Sequence, residues 1–277
     1  MRALFLAVAL AIPSAGVRTA PPALSRVEGP VPVIVELFTS EGCSDCPAAD
    51  ALLERMIATQ PVAGAEIIGL GQHVDYWDRL GWKDRFSSAA FTSRQHAYQT
   101  RFATESIYTP QMVVDGRAEF VGSDANAARK AIERTLTAPH GVIRIDARSE
   151  PAAPGPAQPA GAEQPPPLHV TVAVSDLPRA ARGDRADIIL IVTESGLATD
   201  VKRGENHGKV LKHAPVVRYL ATIGQVAVDG SSASAAADVA LEADWRRDRL
   251  AVVAFIQEQR GRAILASASA SLKPAHP

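Results

Sequence analysis

The chain has 277 residues, 47% of them hydrophobic, with 29 basic and 30 acidic side chains and a formal net charge of -1. That length gives room for one large domain or two ordinary ones with real cores. The even charge balance, without a basic stripe, argues against a nucleic-acid partner.

The N-terminus reads MRALFLAVALAIPSAGVRTA. Arg2 supplies a short positive region and Ala3 to Ile12 an apolar run of about ten residues, the pattern of a secretory signal peptide. A membrane helix needs about 20 apolar residues, so residues 1–20 are set aside as a signal peptide, with cleavage near Ser14–Gly16 or somewhat later. The mature protein is then expected to be periplasmic or secreted, without a membrane span, and in an oxidising compartment where disulfides persist.

From Val31 the run VPVIVELF is short, β-branched and continuous, which predicts a strand buried on both faces. CSDCPAADALLERMIAT follows with helical spacing, and Pro47 sits where a first turn tolerates it. AEIIGLGQHV predicts a second strand, and Ala89 to Phe102 a second helix. TPQMVVDG and AEFVG predict a hairpin turning at Asp115–Gly116. A last helix, DANAARKAIERTL, is expected with Ser123 as its cap.

Beyond Pro139 the pattern changes. GVIRIDA, LHVTVAVS, ADIILIVTE, VVRYLATI, LAVVAFIQE and RAILASASASL predict strands with little helix between them, which suggests a β-sandwich. The expected organisation is an α/β domain over residues 31–138 and an all-β sandwich-like domain over 141–277. The Pro/Ala-rich stretch 149–167 is flanked by strands of one domain, so it is read as a long mobile hairpin loop rather than a linker.

The only two cysteines, Cys43 and Cys46, form a CxxC at a strand–helix junction. A helix start carries unpaired N–H groups and the positive end of the helix dipole, which favour a nearby thiolate. Cys43 is therefore the expected nucleophile, its thiol pKa below the free value of about 8.5, and Cys46 the expected resolving thiol. Asp45 between them opposes thiolate formation, so the pair is expected to be less oxidising than couples near about -120 mV. Two other readings stay open. A four-residue disulfide loop supplies only about 2 kcal/mol as a brace, and a metal site needs more ligands than two thiolates. His73 and His96 are the nearest histidines, but nothing in the sequence fixes either beside Cys43, and no metal ligand set is assigned.

Strand, CxxCP and helix, followed by YTPQ at a strand start, resemble the thioredoxin superfamily. The blocks ELFTSEGCSDCP, VDYWDRLGWKDRFSS, YTPQMVVDG and RGENHGKVLKH are similar to those of an uncharacterised family of secreted bacterial thioredoxin-like proteins, spread from Glu36 to His213. The resemblance implies a thioredoxin-like first domain, a cis-Pro110 facing the cysteines, and Thr109 offering backbone groups to substrate. It also implies Glu36 as a buried proton relay for Cys46. The alternative for Glu36 is a hydrogen bond to backbone or an ion pair with Lys83 or Arg85. Gly42 departs from the tryptophan that ordinary thioredoxins carry before the first cysteine.

Trp77 and Trp82 fall in a polar segment after a strand's C-terminal end, where open α/β sheets place ligands. They are read as substrate-gripping residues, with a purely structural lid as the alternative. Asp75, Asp78 and Asp84 lie in the same segment without a recognised metal spacing. Arg203, Glu205, Asn206, His207 and His213 lie in a polar loop of the second half, expected to be solvent-exposed, with contact of His207 and His213 to a metal or to the active site across the domain interface as the alternative. The expected function is exported thiol–disulfide exchange, with a protein thiol or disulfide as substrate, an unidentified redox partner and no organic cofactor. A non-enzymatic binding or scaffold protein with a structural disulfide, and a metal carrier using the CxxC, are the competing readings.

Overall fold

A computed structural model describes residues 29–149, 165–178, 184–227 and 232–272. The segment read as a signal peptide and most of the Pro/Ala-rich loop lie outside the described residues.

The first half runs β1 (Val31–Thr39), α1 (Cys46–Thr59), β2 (Ala65–His73), α2 (Ala89–Phe102), β3 (Gln111–Val114), β4 (Ala118–Val121) and α3 (Ala125–Thr135). The second half adds β5 (Val142–Arg148), β6 (Leu168–Ser175), β7 (Ala186–Glu194), β8 (Ala198–Asp200), β9 (Val210–Lys212), β10 (Val216–Val226), β11 (Ala233–Val239), β12 (Leu250–Glu258) and β13 (Ile264–Ser271). Among the described residues, no helix is long and apolar enough to cross a membrane. The cap of α3 differs from the expectation: Asp124, not Ser123, accepts the N–H groups of Asn126 and Ala127. Strand β11 (ASAAADV) escaped the sequence reading because its small residues carry little hydrophobic alternation.

The two halves share one eight-stranded sheet, ordered β13-β12-β7-β10-β2-β1-β3-β4. The sequence boundary near residues 137–141 therefore does not interrupt the hydrogen-bonded sheet. β1 and β2 are parallel, while β3 runs antiparallel to β1. The junction is β10, which joins the β2 edge at Val216 opposite Gly71. Gly71 donates its N–H to Pro215 O at 2.7 Å, and a Cβ there would lie 3.1 Å from that oxygen. A larger residue would push the two halves apart at this seam.

Parity along β1 divides the cores. Val33, Val35 and Leu37 pack with α1 and α3, whereas Ile34 packs with Phe91 of α2 and with Ile189, Val253 and Phe255 of the second half. That second cluster buries apolar surface from both halves at once, so the non-directional hydrophobic term itself joins them. A separate sheet, β11-β6-β5, lies over β7 and β12 to close a sandwich core around Val170, Val172, Leu190 and Val252.

The β3–β4 hairpin turns at Asp115 and Gly116, both at positive φ (48° and 63°), as a type I′ turn requires. Asp115 is buried, and its Oδ1 accepts Ile34 N–H at 2.8 Å. Burial raises its carboxyl from 3.8 to about 7, outweighing that hydrogen bond and the charge of Arg117. An acid whose folded pKa is raised stabilises the fold fully below its unfolded pKa, and that contribution fades as pH rises to the folded value. Relative to Asp115→Asn, wild-type stability is expected to fall by up to about 4 kcal/mol between about pH 4 and 7, then level off. Urea unfolding of both proteins across that range checks this, and parallel pH profiles would refute it.

Candidate functional site

Cys43 and Cys46 are joined as a disulfide. Cys46 is the first residue of α1, Asp45 its N-cap, and Pro47 follows in the first turn. Both cysteines are buried, 2% and 1% exposed, whereas Ser44 and Asp45 between them are exposed. The pair thus sits at a helix start with its sulfurs covered and its connecting residues at the surface.

The cover is built from both halves of the chain. Trp77 packs on the first side: a Cβ at Gly42 would lie 3.2 Å from Trp77 Cβ, so the place of a bulky residue before Cys43 is taken. Trp77 also donates its indole N–H to Thr109 Oγ1 at 2.8 Å, and the Thr109–Pro110 peptide is cis. One indole therefore bridges the cysteine loop and the residue preceding Pro110. Trp82 donates to Glu41 Oε2 at 2.7 Å and packs against Gly204.

On the second side lies the loop between β8 and β9. Buried Asn206 donates through Nδ2 to Glu41 O at 2.9 Å and to Cys43 O at 2.8 Å, and Ser44 N–H donates to Glu205 Oε2 at 3.1 Å. The sequence reading expected this loop to be solvent-exposed. Part of it is: Arg203, Glu205 and His207 are exposed, whereas Asn206 and His213 are buried, and Asn206 serves as a clamp on the CxxC backbone. The glycines bounding ENH, Gly204 and Gly208, both at positive φ, were the only sequence hint of a tight turn.

The hydrogen-bond partners of Glu36 lie away from the cysteines' helix. Glu36 is on the β1 face opposite α1, held by Arg94 Nε at 2.5 Å and Nη2 at 3.0 Å, by Gln72 at 2.6 Å and by the Tyr98 hydroxyl. Burial disfavours its charge, but Arg94 and the three donors outweigh burial and hold the carboxyl below its ordinary 4.5. Glu36 is thus half of a buried ion pair, the alternative expected beside the proton-relay role. Its partner is Arg94, not Lys83 or Arg85, both of which are exposed.

A second buried polar cluster lies on the α1 side, at the C-terminal ends of β1 and β2. Thr39 and His73 are register partners in β1 and β2. Asp50, one turn beyond Cys46, accepts Thr39 Oγ1–H at 2.6 Å and Ala214 N–H at 3.3 Å. His73 Nδ1 and Asp84 Oδ2 are 2.6 Å apart, and the rings of His73 and His213 meet edge-on at 5.0 Å between centroids. His213 Nε2 is 3.2 Å from Glu41 Oε1. Thr39, Glu41, Asp50, His73, Asp84 and His213 are all buried. Burial pushes the Asp50 carboxyl up despite His73 and Thr39. For His73 burial acts downward, but Asp84, Asp50 and Glu41 outweigh it and raise the imidazole. The signal for Asp50 was a carboxylate on the apolar face of α1, between Ala49 and Leu53. Of the remaining histidines considered, His96 is exposed. A wider cleft of about 440 Å³, lined by Arg85, Phe86, Arg218 and Trp245, does not include the cysteines.

Residues 34–257 match a protein family described as a protein of unknown function, DUF1223. The chain belongs to the DUF1223 family. Among solved structures, it is similar to a crystal structure of a protein from Agrobacterium tumefaciens, with 24% identity, a TM-score of 0.59, and coverage of 90% of this chain and 98% of that one. The two share a fold. A sporulation control protein, Spo0M of Bacillus subtilis, matches 49% of this chain and 51% of its own at 20% identity and a TM-score of 0.29. A domain of the outer membrane lipoprotein Omp28 from Porphyromonas gingivalis matches 48% of this chain and 90% of its own at 13% identity and a TM-score of 0.26. No curated protein matches the sequence.

Proposed function

We propose that this DUF1223 protein is an exported, periplasmic or secreted thiol–disulfide exchange protein with a thioredoxin-like first half. The observation that carries the reading is the disulfide on the first turn of α1, bridged through Trp77 to the residue before cis-Pro110. The order β2-β1-β3-β4, with β1 and β2 parallel and β3 antiparallel to β1, supports the thioredoxin-like reading.

In the exchange, a substrate thiolate attacks Cys43 Sγ, the Cys43–Cys46 bond breaks, and Cys46 leaves as a thiolate. A second substrate thiolate then attacks the substrate sulfur of the mixed disulfide and releases Cys43 as a thiolate. The substrate dithiol is oxidised and the CxxC reduced; the reverse sequence reduces a substrate disulfide. Glu205 beside Ser44 N–H and Asp45 within the loop put negative charge near Cys43, which supports a weakly oxidising couple. Access to Cys43 requires the Asn206 clamp to open. Trp77 and Trp82 then line the groove that receives the substrate.

The burial of both sulfurs favours a second reading, a permanent brace in a non-enzymatic protein. Reduction by dithiothreitol under native conditions separates the two. Asn206→Ala removes two hydrogen bonds worth about 1 kcal/mol each, so a gated exchange centre should reduce about ten- to thirtyfold faster. Cys43→Ser should abolish exchange with a dithiol substrate. A bond that resists reduction until the whole protein unfolds, in wild type and Asn206→Ala alike, establishes the brace.

A further inference from the structure

We propose that Asp50, His73 and His213 bind a divalent transition-metal ion of the zinc class beside the CxxC. One ligand atom from each of the three lies within 4.8 Å of the others, all three buried. The group is separate from the cysteines, which are bonded to each other.

Four features point to a cation rather than to a satisfied polar core. The first is His73. Its Nδ1 is fixed by Asp84, and its buried Nε2 has no hydrogen-bond partner. Leaving such an atom unpaired is costly. Carboxylate, imidazole and metal in a line is the usual support for a histidine ligand, because the carboxylate fixes the tautomer and raises the basicity of the other nitrogen.

The second is charge. Asp50, Asp84 and Glu41 are buried together; Asp84 pairs with His73 and Glu41 with His213, while Asp50 accepts hydrogen bonds from Thr39 and Ala214. Carboxylates away from water need a compensating cation. Glu41 Oε1 takes no hydrogen bond and faces His213 Nε2 at 3.2 Å, so it adds negative charge beside the site.

The third is donor capacity. Each Asp50 oxygen accepts one hydrogen bond, from Ala214 N–H and Thr39 Oγ1, and each retains a second lone pair. Two imidazoles and a carboxylate suit zinc and its first-row neighbours better than the all-oxygen shells of calcium or magnesium.

The fourth is space beside two of the three residues, Asp50 and His213. A narrow cavity of about 10 Å³ is lined by Ser40, Glu41, Pro47, Asp50 and His213, about the volume that one water-sized particle needs. The site draws Asp50 from α1, His73 from β2 and His213 from the segment leading into β10, so an ion would link the two halves at their seam.

The experiment uses the full chain with its disulfide intact, stripped with chelator and titrated with Zn²⁺. Binding of one equivalent is expected, with thermal stabilisation. His213→Gln should lower affinity at least about 100-fold, and Asp84→Asn about 10- to 100-fold through the imidazole it orients. X-ray absorption of the zinc-loaded wild type needs no variant. A shell of N and O ligands near about 2.0–2.1 Å supports the site, and sulfur near about 2.3 Å overturns it. Absence of saturable Zn²⁺ binding to wild type also overturns it, as does binding lost in Cys43→Ser but kept in His213→Gln.

Discussion

Arg94→Met is expected to cost about 3–5 kcal/mol of folding stability, the effect of removing one partner from a buried ion pair. Glu36 would keep Gln72 and Tyr98 as donors but lose the guanidinium that touches both of its oxygens. The cost is mostly the stranded carboxylate, so Glu36→Gln in the Arg94→Met background should recover part of the loss. The pH dependence adds a second readout. In wild type the Glu36 carboxyl is held below 4.5, so its contribution is complete above that value and lost as pH falls through the folded pKa. Without Arg94, burial dominates and raises the carboxyl, so the stability gap between variant and wild type should narrow in acid. Chemical denaturation at pH 7 and pH 4 checks both; a gap independent of pH would mean that Glu36 does not carry the effect.

Gly116→Ala is expected to destabilise the fold by at least about 3 kcal/mol, because two costs add. The residue has φ 63°, where a Cβ costs about 1–2 kcal/mol. That Cβ would also fall 1.8 Å from Arg262 O, a backbone atom that cannot swing aside. The hairpin tip would have to withdraw, and Asp115 O would lose Ile264 N–H at 2.9 Å. Gly208→Ala is the control: its φ is 79° and no atom lies within 4 Å of the added Cβ, so only the backbone cost applies. Thermal unfolding of both variants measures the difference, and equal losses would show that the Arg262 contact yields without cost.

The Asn206 clamp changes how the CxxC chemistry is understood. A helix start raises the reactivity of a thiolate only when a partner reaches it. In this protein the second half of the chain reaches the CxxC backbone, through two hydrogen bonds from Asn206 to Glu41 O and Cys43 O. The same half supplies His213 to the polar cluster beside Asp50. The contacts on the CxxC backbone and the proposed cation site both draw on the β8–β10 segment, where it meets the ends of β1 and β2.

The sequence by itself determined the elements whose signals are local. The β-branched run of β1, the helical spacing of α1 and α2, and the Asp-Gly turn all appear where pattern and turn chemistry put them, since those preferences act over a few residues. The CxxC at a helix start was legible for the same reason. Tertiary structure alone decided that the two halves share one sheet, because strand order depends on edges that no local pattern records. It also decided the partner of Glu36: both faces of β1 are buried, so the sequence showed a carboxylate needing a counterion without showing that the α2 side would supply it. Asp50, His73 and His213 are separated by 23 and 140 residues in sequence, and three side chains that far apart meet only when sheet pairing brings α1, β2 and the segment before β10 together.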